Sequence, residues 1–136
     1  MAALSGITAV RPTANTQTSK VVYGATISAG QPVYLDSTDS KYKLADANLS
    51  AAAATVRGIA MTPGVDTGYG IIATSGSILL IGTTMGIGEN YFCGATAGEI
   101  NPDADVTTGW YVTRLGTAAS ATQLDLSINA SGIVHA

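Results

Sequence analysis

Charge is the scarcest commodity in this sequence. Lys, Arg, Asp and Glu together make up 11% of its 136 residues, against roughly 25% in an ordinary soluble domain. The six basic residues lie scattered along the chain and the formal net charge is −3. No basic patch exists to neutralise a phosphate backbone, so electrostatic binding to nucleic acid is not expected. There is one cysteine, which excludes an intrachain disulfide framework; Cys93 reads as a small buried hydrophobe. There is one histidine, His135, beside the C-terminus, where a side chain is normally solvated. With one His and one Cys, a zinc site from the usual ligands cannot be assembled.

Long hydrophobic runs are absent as well. The longest, residues 78–81, is far too short to cross a bilayer, so no membrane partner is expected. The opening residues, MAALSGITAV, have neither a basic start nor a long apolar stretch and do not read as a secretory signal. The expectation is a protein made in a cytoplasm.

What the chain has is small, neutral and β-prone. Hydrophobic residues reach 46%, much of it Ala, and there are 16 Gly, 6 Tyr, 1 Trp and 1 Phe. A free monomer normally keeps a charged surface for solubility. A surface of Thr, Ser, Ala and Gly costs little to desolvate against another protein, so a large share of it is expected to be buried in an assembly. The length allows one domain with one core.

Residues 1–20 are polar, rich in Thr, Ser and Ala, carry Pro12, and show no clear period. They read as an extended arm, with a frayed terminus as the competing reading; residues 21–136 read as the folded domain. There the pattern is short strands between turns. Residues 31–35 and 41–45 flank the polar turn 36–40 and form a hairpin signal. Residues 46–55 are the one helical candidate, with Asp46 or Asn48 as cap and an Ala run, a loop being the alternative. Strands are expected at 55–61, with Gly58 marking a bulge or close approach, at 68–74 and 77–81 joined at Ser75-Gly76, at 89–93, at 110–115, and at 122–128, where Leu124, Leu126 and Ile128 alternate with polar residues. About nine short strands at about ten-residue spacing argue for a compact β-barrel or β-sandwich. A Gly precedes a Tyr-bearing strand three times, at Gly30, Gly88 and Gly109, a shared turn solution or a weak repeat.

Chemistry-bearing constellations are missing rather than hidden. There is no nucleophile elbow, Walker loop or dinucleotide fingerprint. Residues 82–88 hold glycines but lack the Lys and the helix that phosphate binding needs. Asn101, Asp103 and Asp105 have the alternate spacing of a Ca²⁺ loop, but without its Gly and closing Glu; turn formation is the simpler reading. Asp36 and Asp39 share a turn and have no nucleophilic companion. No catalytic residue, cofactor site or metal site is assigned, and the chain is expected not to be an enzyme. Arg57 and Arg114 are single charges in apolar strands, each expected to meet an Asp or a neighbouring subunit, or to sit on an exposed face. Trp110, Tyr111, Tyr91 and Phe92 read as core before interface. Tyr69, between Gly68 and Gly70, is the better interface candidate.

Residues 29–35 (Ala-Gly-Gln-Pro-Val-Tyr-Leu), 57–60 (Arg-Gly-Ile-Ala), 75–78 (Ser-Gly-Ser-Ile), 109–118 (Gly-Trp-Tyr-Val-Thr-Arg-Leu-Gly-Thr-Ala) and 124–128 (Leu-Asp-Leu-Ser-Ile) resemble small phage head proteins of the capsid decoration, or cement, family. The likeness runs over about residues 21–128 and lies in Gly placement and strand pattern. It implies a β-barrel or sandwich that binds the major capsid protein on the outside of the virion as a dimer or trimer, with an N-terminal arm reaching a neighbouring capsomer. Arg11, Pro12 and Thr13 of the arm, with Tyr69, Arg57 and Arg114, are the partner-binding candidates. The alternatives are a virion adhesion or receptor-binding module and, more remotely, a glycan hydrolase, which would need a carboxylate pair in a cleft.

Overall fold

The computed structural model describes residues 3–135 and is all-β. The strands are β1 (Ala9–Pro12), β2 (Gln17–Val22), β3 (Pro32–Asp36), β4 (Lys41–Leu44), β5 (Val56–Ala60), β6 (Tyr69–Ile81), β7 (Asn90–Cys93), β8 (Ile100–Pro102), β9 (Tyr111–Ala118) and β10 (Gln123–Val134), with a single 3-10 turn at Asp103–Asp105. All ten form one curled antiparallel sheet, a half-barrel, in the order β4-β3-β5-β6-β10-β9-β7-β8, with β1 and β2 laid against β6.

β6 organises the whole. Residues 69–75 pair with β2, and Ile72 and Ala73 also pair with β5. Residues 78–81 pair with β1, while 76–79 pair with β10. Two strands were expected here, 68–74 and 77–81; one continuous strand stands in their place. Gly76 explains the difference. It takes φ +83°, and a Cβ there would fall 2.1 Å from the Asn15 carbonyl oxygen. The strand turns a corner at a residue that only glycine fits, without leaving the ladder. The corner is fastened from outside: Ser77 N–H donates to Asn15 Oδ1 at 3.1 Å, and Thr13 Oγ1 donates to the Ser77 carbonyl at 3.0 Å.

That fastening also decides the N-terminal segment. From residue 3 it is extended, but much of it is hydrogen-bonded into the body, and the expected boundary at residue 20 falls inside β2 (Gln17–Val22); residues 1–2 of the expected arm lie outside the described residues. Leu4 N–H reaches the Ile100 carbonyl at 2.8 Å, and β1 and β2 run along β6 with Thr13–Thr16 as a bend between them. A β-capable segment with few charges, lying beside an unpaired strand edge, satisfies its backbone there.

Two apolar clusters follow from the corner. The larger lies between the two limbs of the sheet and includes Ile59, Ala73, Ile78, Leu80, Leu115 and Leu124. The smaller fills the curl made by β2, β3, β5 and the first limb of β6, with Val21, Tyr23, Ile27, Val33, Ala60 and Ile72. Neighbours Ile59 and Ala60, and Ile72 and Ala73, fall into different clusters. Thus β5 and β6 are buried on both faces where they pair, at Ile59–Ala60 and Ile72–Ala73, as alternation of side chains demands. The curl is drawn nearly shut where Tyr23 bridges Tyr42 in parallel and Gly24 N–H donates to the Tyr42 carbonyl at 2.7 Å. Residues 46–55 close turns, not a helix: Ser50 Oγ accepts from Ala53 N–H at 3.0 Å, and Thr55 leads directly into β5.

Candidate interaction surface

One face of the first limb of β6 runs out from under its cover. Ala73 is fully buried, yet Ile71 and Tyr69, two and four residues back on the same face, are 41% and 69% exposed. Cross-strand register places Thr18 opposite Ala73, Lys20 opposite Ile71 and Val22 opposite Tyr69. On the other side Met61 continues the face that Ile59 buries, its N–H bonded to the Ile71 carbonyl at 2.8 Å. The result is an open strip of two adjoining depressions sharing Thr62 and Ile71 as walls. One, of about 340 Å³, is lined by Lys20, Thr62, Tyr69, Gly70 and Ile71. The other, of about 430 Å³, is lined by Val10, Pro12, Thr16, Thr18, Met61, Thr62 and Ile71.

Lys20 is the only charged residue lining these depressions. Its ammonium lies 4.8 Å from the centre of the Tyr69 ring, a cation–π contact across the strand pair. Beneath it, Tyr23 is fully buried, its hydroxyl donating to the Thr62 carbonyl at 2.8 Å. Burial pushes the Tyr23 hydroxyl pKa up, and the Thr62 side chain offsets part of that. Gly70 is required above this ring, because a Cβ there would sit 2.1 Å from it.

Of the residues expected to bind a partner, Pro12 and Tyr69 line this strip, one in each depression. Arg11 is exposed on β1 and Thr13 is half-buried, its hydroxyl committed to the Ser77 carbonyl. Arg57, exposed on β5, and Arg114, on β9, line neither depression. Neither arginine meets an Asp among the described residues; Arg114 contacts Ser127 Oγ at 3.4 Å. Thr18, Lys20, Met61, Thr62 and Ile71 were missed.

The other groups weighed from sequence fall elsewhere. Cys93 is buried, and burial raises its thiol pKa to about 12, with Asp46 adding to the shift. Tyr91 is buried, Trp110 packs on the larger core, and Tyr111 and Phe92 are half-buried. Asn101 Nδ2 donates to Asp105 Oδ2 at 2.9 Å, beside the 3-10 turn. Asp36 and Asp39 both hold Lys43, at 2.7 and 3.1 Å, and that ammonium lowers both carboxyls. No group of three or more His, Cys, Asp or Glu is placed to hold a metal among the described residues, and no helix there is long and apolar enough to cross a membrane. No family model matches the chain, and no curated protein matches it.

Proposed function

We propose that this chain is a structural virion protein that binds the outside of a phage capsid as a homo-oligomer and stabilises the coat lattice. The observation that carries the reading is the strip around Ile71, lined by one charged residue, Lys20, among the described residues. A sheet face that continues past its own core with Pro, Thr, Met, Ile and Tyr side chains is cheap to desolvate and leaves little charge to strand. Packaged DNA pushes a shell outward, and a protein straddling the joints between coat subunits adds contact area that resists it. Many identical copies act together, so each contact can be modest. With β1 and β2 bonded to β6, the strip rather than a free arm supplies the docking surface in this reading.

The exposed Tyr69 ring beside a shallow apolar depression favours a second reading, adhesion to a host receptor, because aromatic rings are efficient anchors. One comparison separates the two. Capsids purified without this chain are expected to lose heat and low-salt resistance, and to regain it when the chain is added back in stoichiometric copies. The Ile71→Asp variant, folded by circular dichroism, is expected not to restore it. Equal resistance with and without the chain refutes the cement role; host-cell binding lost with Tyr69→Ala would establish adhesion instead.

A further inference from the structure

One wall of the strip is a single run of chain. Residues 9–12 and 17–22 lie antiparallel along β6, opposite residues 81–78 and 75–69, so the wall extends from Val10 to Lys20 past the Thr13–Thr16 bend. Met61 and Thr62 stand on the other side, and Ile71 lies between, shared by both depressions. The two depressions therefore follow one another along the strand direction. Alternate side chains of an extended segment fall on one face, about 7 Å apart, and two depressions in line receive them in turn. The electrical character of the strip is as definite as its shape. No Asp or Glu lines either depression. Among the described residues no carboxylate pairs with Lys20, whose ammonium touches only the Tyr69 ring, whereas Lys41 and Lys43 both pair with aspartates. Anything that covers the strip takes water from this ammonium, and an ammonium desolvated without an anion is costly. The Tyr69 ring offsets only part of that cost, so the occupant has to bring the anion.

We infer that the strip takes an extended segment of a partner protein, one that sets a carboxylate against Lys20 and an apolar side chain, two positions away, against Ile71 and Met61. The net charge of the chain is −3, so it exerts no long-range pull on an acidic partner; the preference is local to Lys20. This rests on the strip being the docking surface of the proposed function and adds the chemistry of what docks there. Its test uses no capsid, so the lattice-stabilising role stands or falls separately, on capsid resistance.

The probe is the peptide acetyl-Thr-Val-Thr-Asp-Thr-Val-Thr-amide, whose Val, Asp and Val share one face when it is extended, together with versions carrying Asn or Lys in place of Asp. Methyl NMR of the full chain, labelled at Met and Ile, reads occupancy at Met61 and Ile71. The Asp peptide is expected to shift both signals saturably in the millimolar range. The Asn peptide is expected to bind more weakly by about threefold or more, the scale of one partly exposed ion pair. Lys20→Gln is expected to abolish that preference, and Lys20→Glu to reverse it in favour of the Lys peptide. Both variants keep the wild-type circular dichroism in this account, because Lys20 is exposed. Met61 and Ile71 signals that stay in place at every peptide concentration overturn the inference. So do Asp and Asn peptides that bind alike, or a Lys20→Glu variant that still prefers the Asp peptide.

Discussion

At the residue scale, two glycines separate strain from collision. Gly76 combines a positive φ with a carbonyl in the place of its Cβ, whereas Gly132, also at positive φ, has nothing within 4 Å. Gly132→Ala is expected to cost about 1 kcal/mol from the backbone conformation alone. Gly76→Ala is expected to cost more, at least about 3 kcal/mol, because the Asn15 carbonyl must also move and the Thr13–Thr16 bend moves with it. Chemical denaturation of both variants checks the ordering, and equal losses would mean that the corner tolerates a side chain. Cys93 gives a second residue-scale expectation. Its buried thiol, held neutral to about pH 12, is expected to resist alkylation at neutral pH in the folded chain and to react only on unfolding, because the thiolate is the nucleophile. Mass spectrometry after iodoacetamide treatment, with and without denaturant, reads this directly.

At the scale of elements, the β3–β4 hairpin ends in a charge cluster whose pH dependence has a definite sign. Asp36 and Asp39 are held below the ordinary carboxylate range, mainly by their hydrogen bonds to Lys43. A carboxyl with a depressed folded-state pKa contributes stability above its unfolded value, about 4, and loses it as pH falls through the folded value. Asp39 is exposed and Asp36 only half-buried, so the contribution is modest. The expected signature is a comparison of slopes: the melting temperature of Lys43→Met falls less between about pH 5 and pH 2 than that of the wild type. Parallel curves would remove Lys43 as the cause. The hairpin itself was legible from sequence, because residues 31–35 and 41–45 alternate around a turn rich in Asp and Ser. So was the close approach at Gly58, whose Cβ would lie 2.6 Å from the Ala73 carbonyl. The single β6 was not legible. A Ser-Gly pair between two apolar runs reads as a turn, and only the tertiary partner, the Asn15 carbonyl, makes it a corner within one strand. The fate of residues 3–20 was hidden for a similar reason. Their polar, aperiodic composition carries no sign of the β6 edge that satisfies their backbone. The strip shares that limit: the sequence marks Tyr69 and Pro12 as candidates, but their convergence depends on β1 and β2 lying side by side along β6.

At the scale of the whole molecule, the sharing of β6 decides how the fold comes apart. The two apolar clusters are distinct, yet Ile72 and Ala73 project from one strand into both, and Ile59 and Ala60 do the same from β5. Neither limb can lose its sheet without withdrawing a wall from the other core. The expected behaviour is therefore one cooperative transition, as for a single small domain, rather than a stepwise opening of the curl. Two truncations test it from opposite sides. Leu124→Ala opens a cavity in the larger cluster and Ile72→Ala in the smaller, each expected to cost about 2–5 kcal/mol. The fluorescence of Trp110, which packs on the larger cluster, and far-ultraviolet circular dichroism of the whole sheet are expected to change at one midpoint in each variant. If Ile72→Ala instead lowers the circular dichroism midpoint while the Trp110 signal melts at its original temperature, the curl is a separate folding unit. In that case β6 joins two units without coupling them, and the exposed strip around Tyr69 and Ile71 belongs to a limb able to loosen on its own.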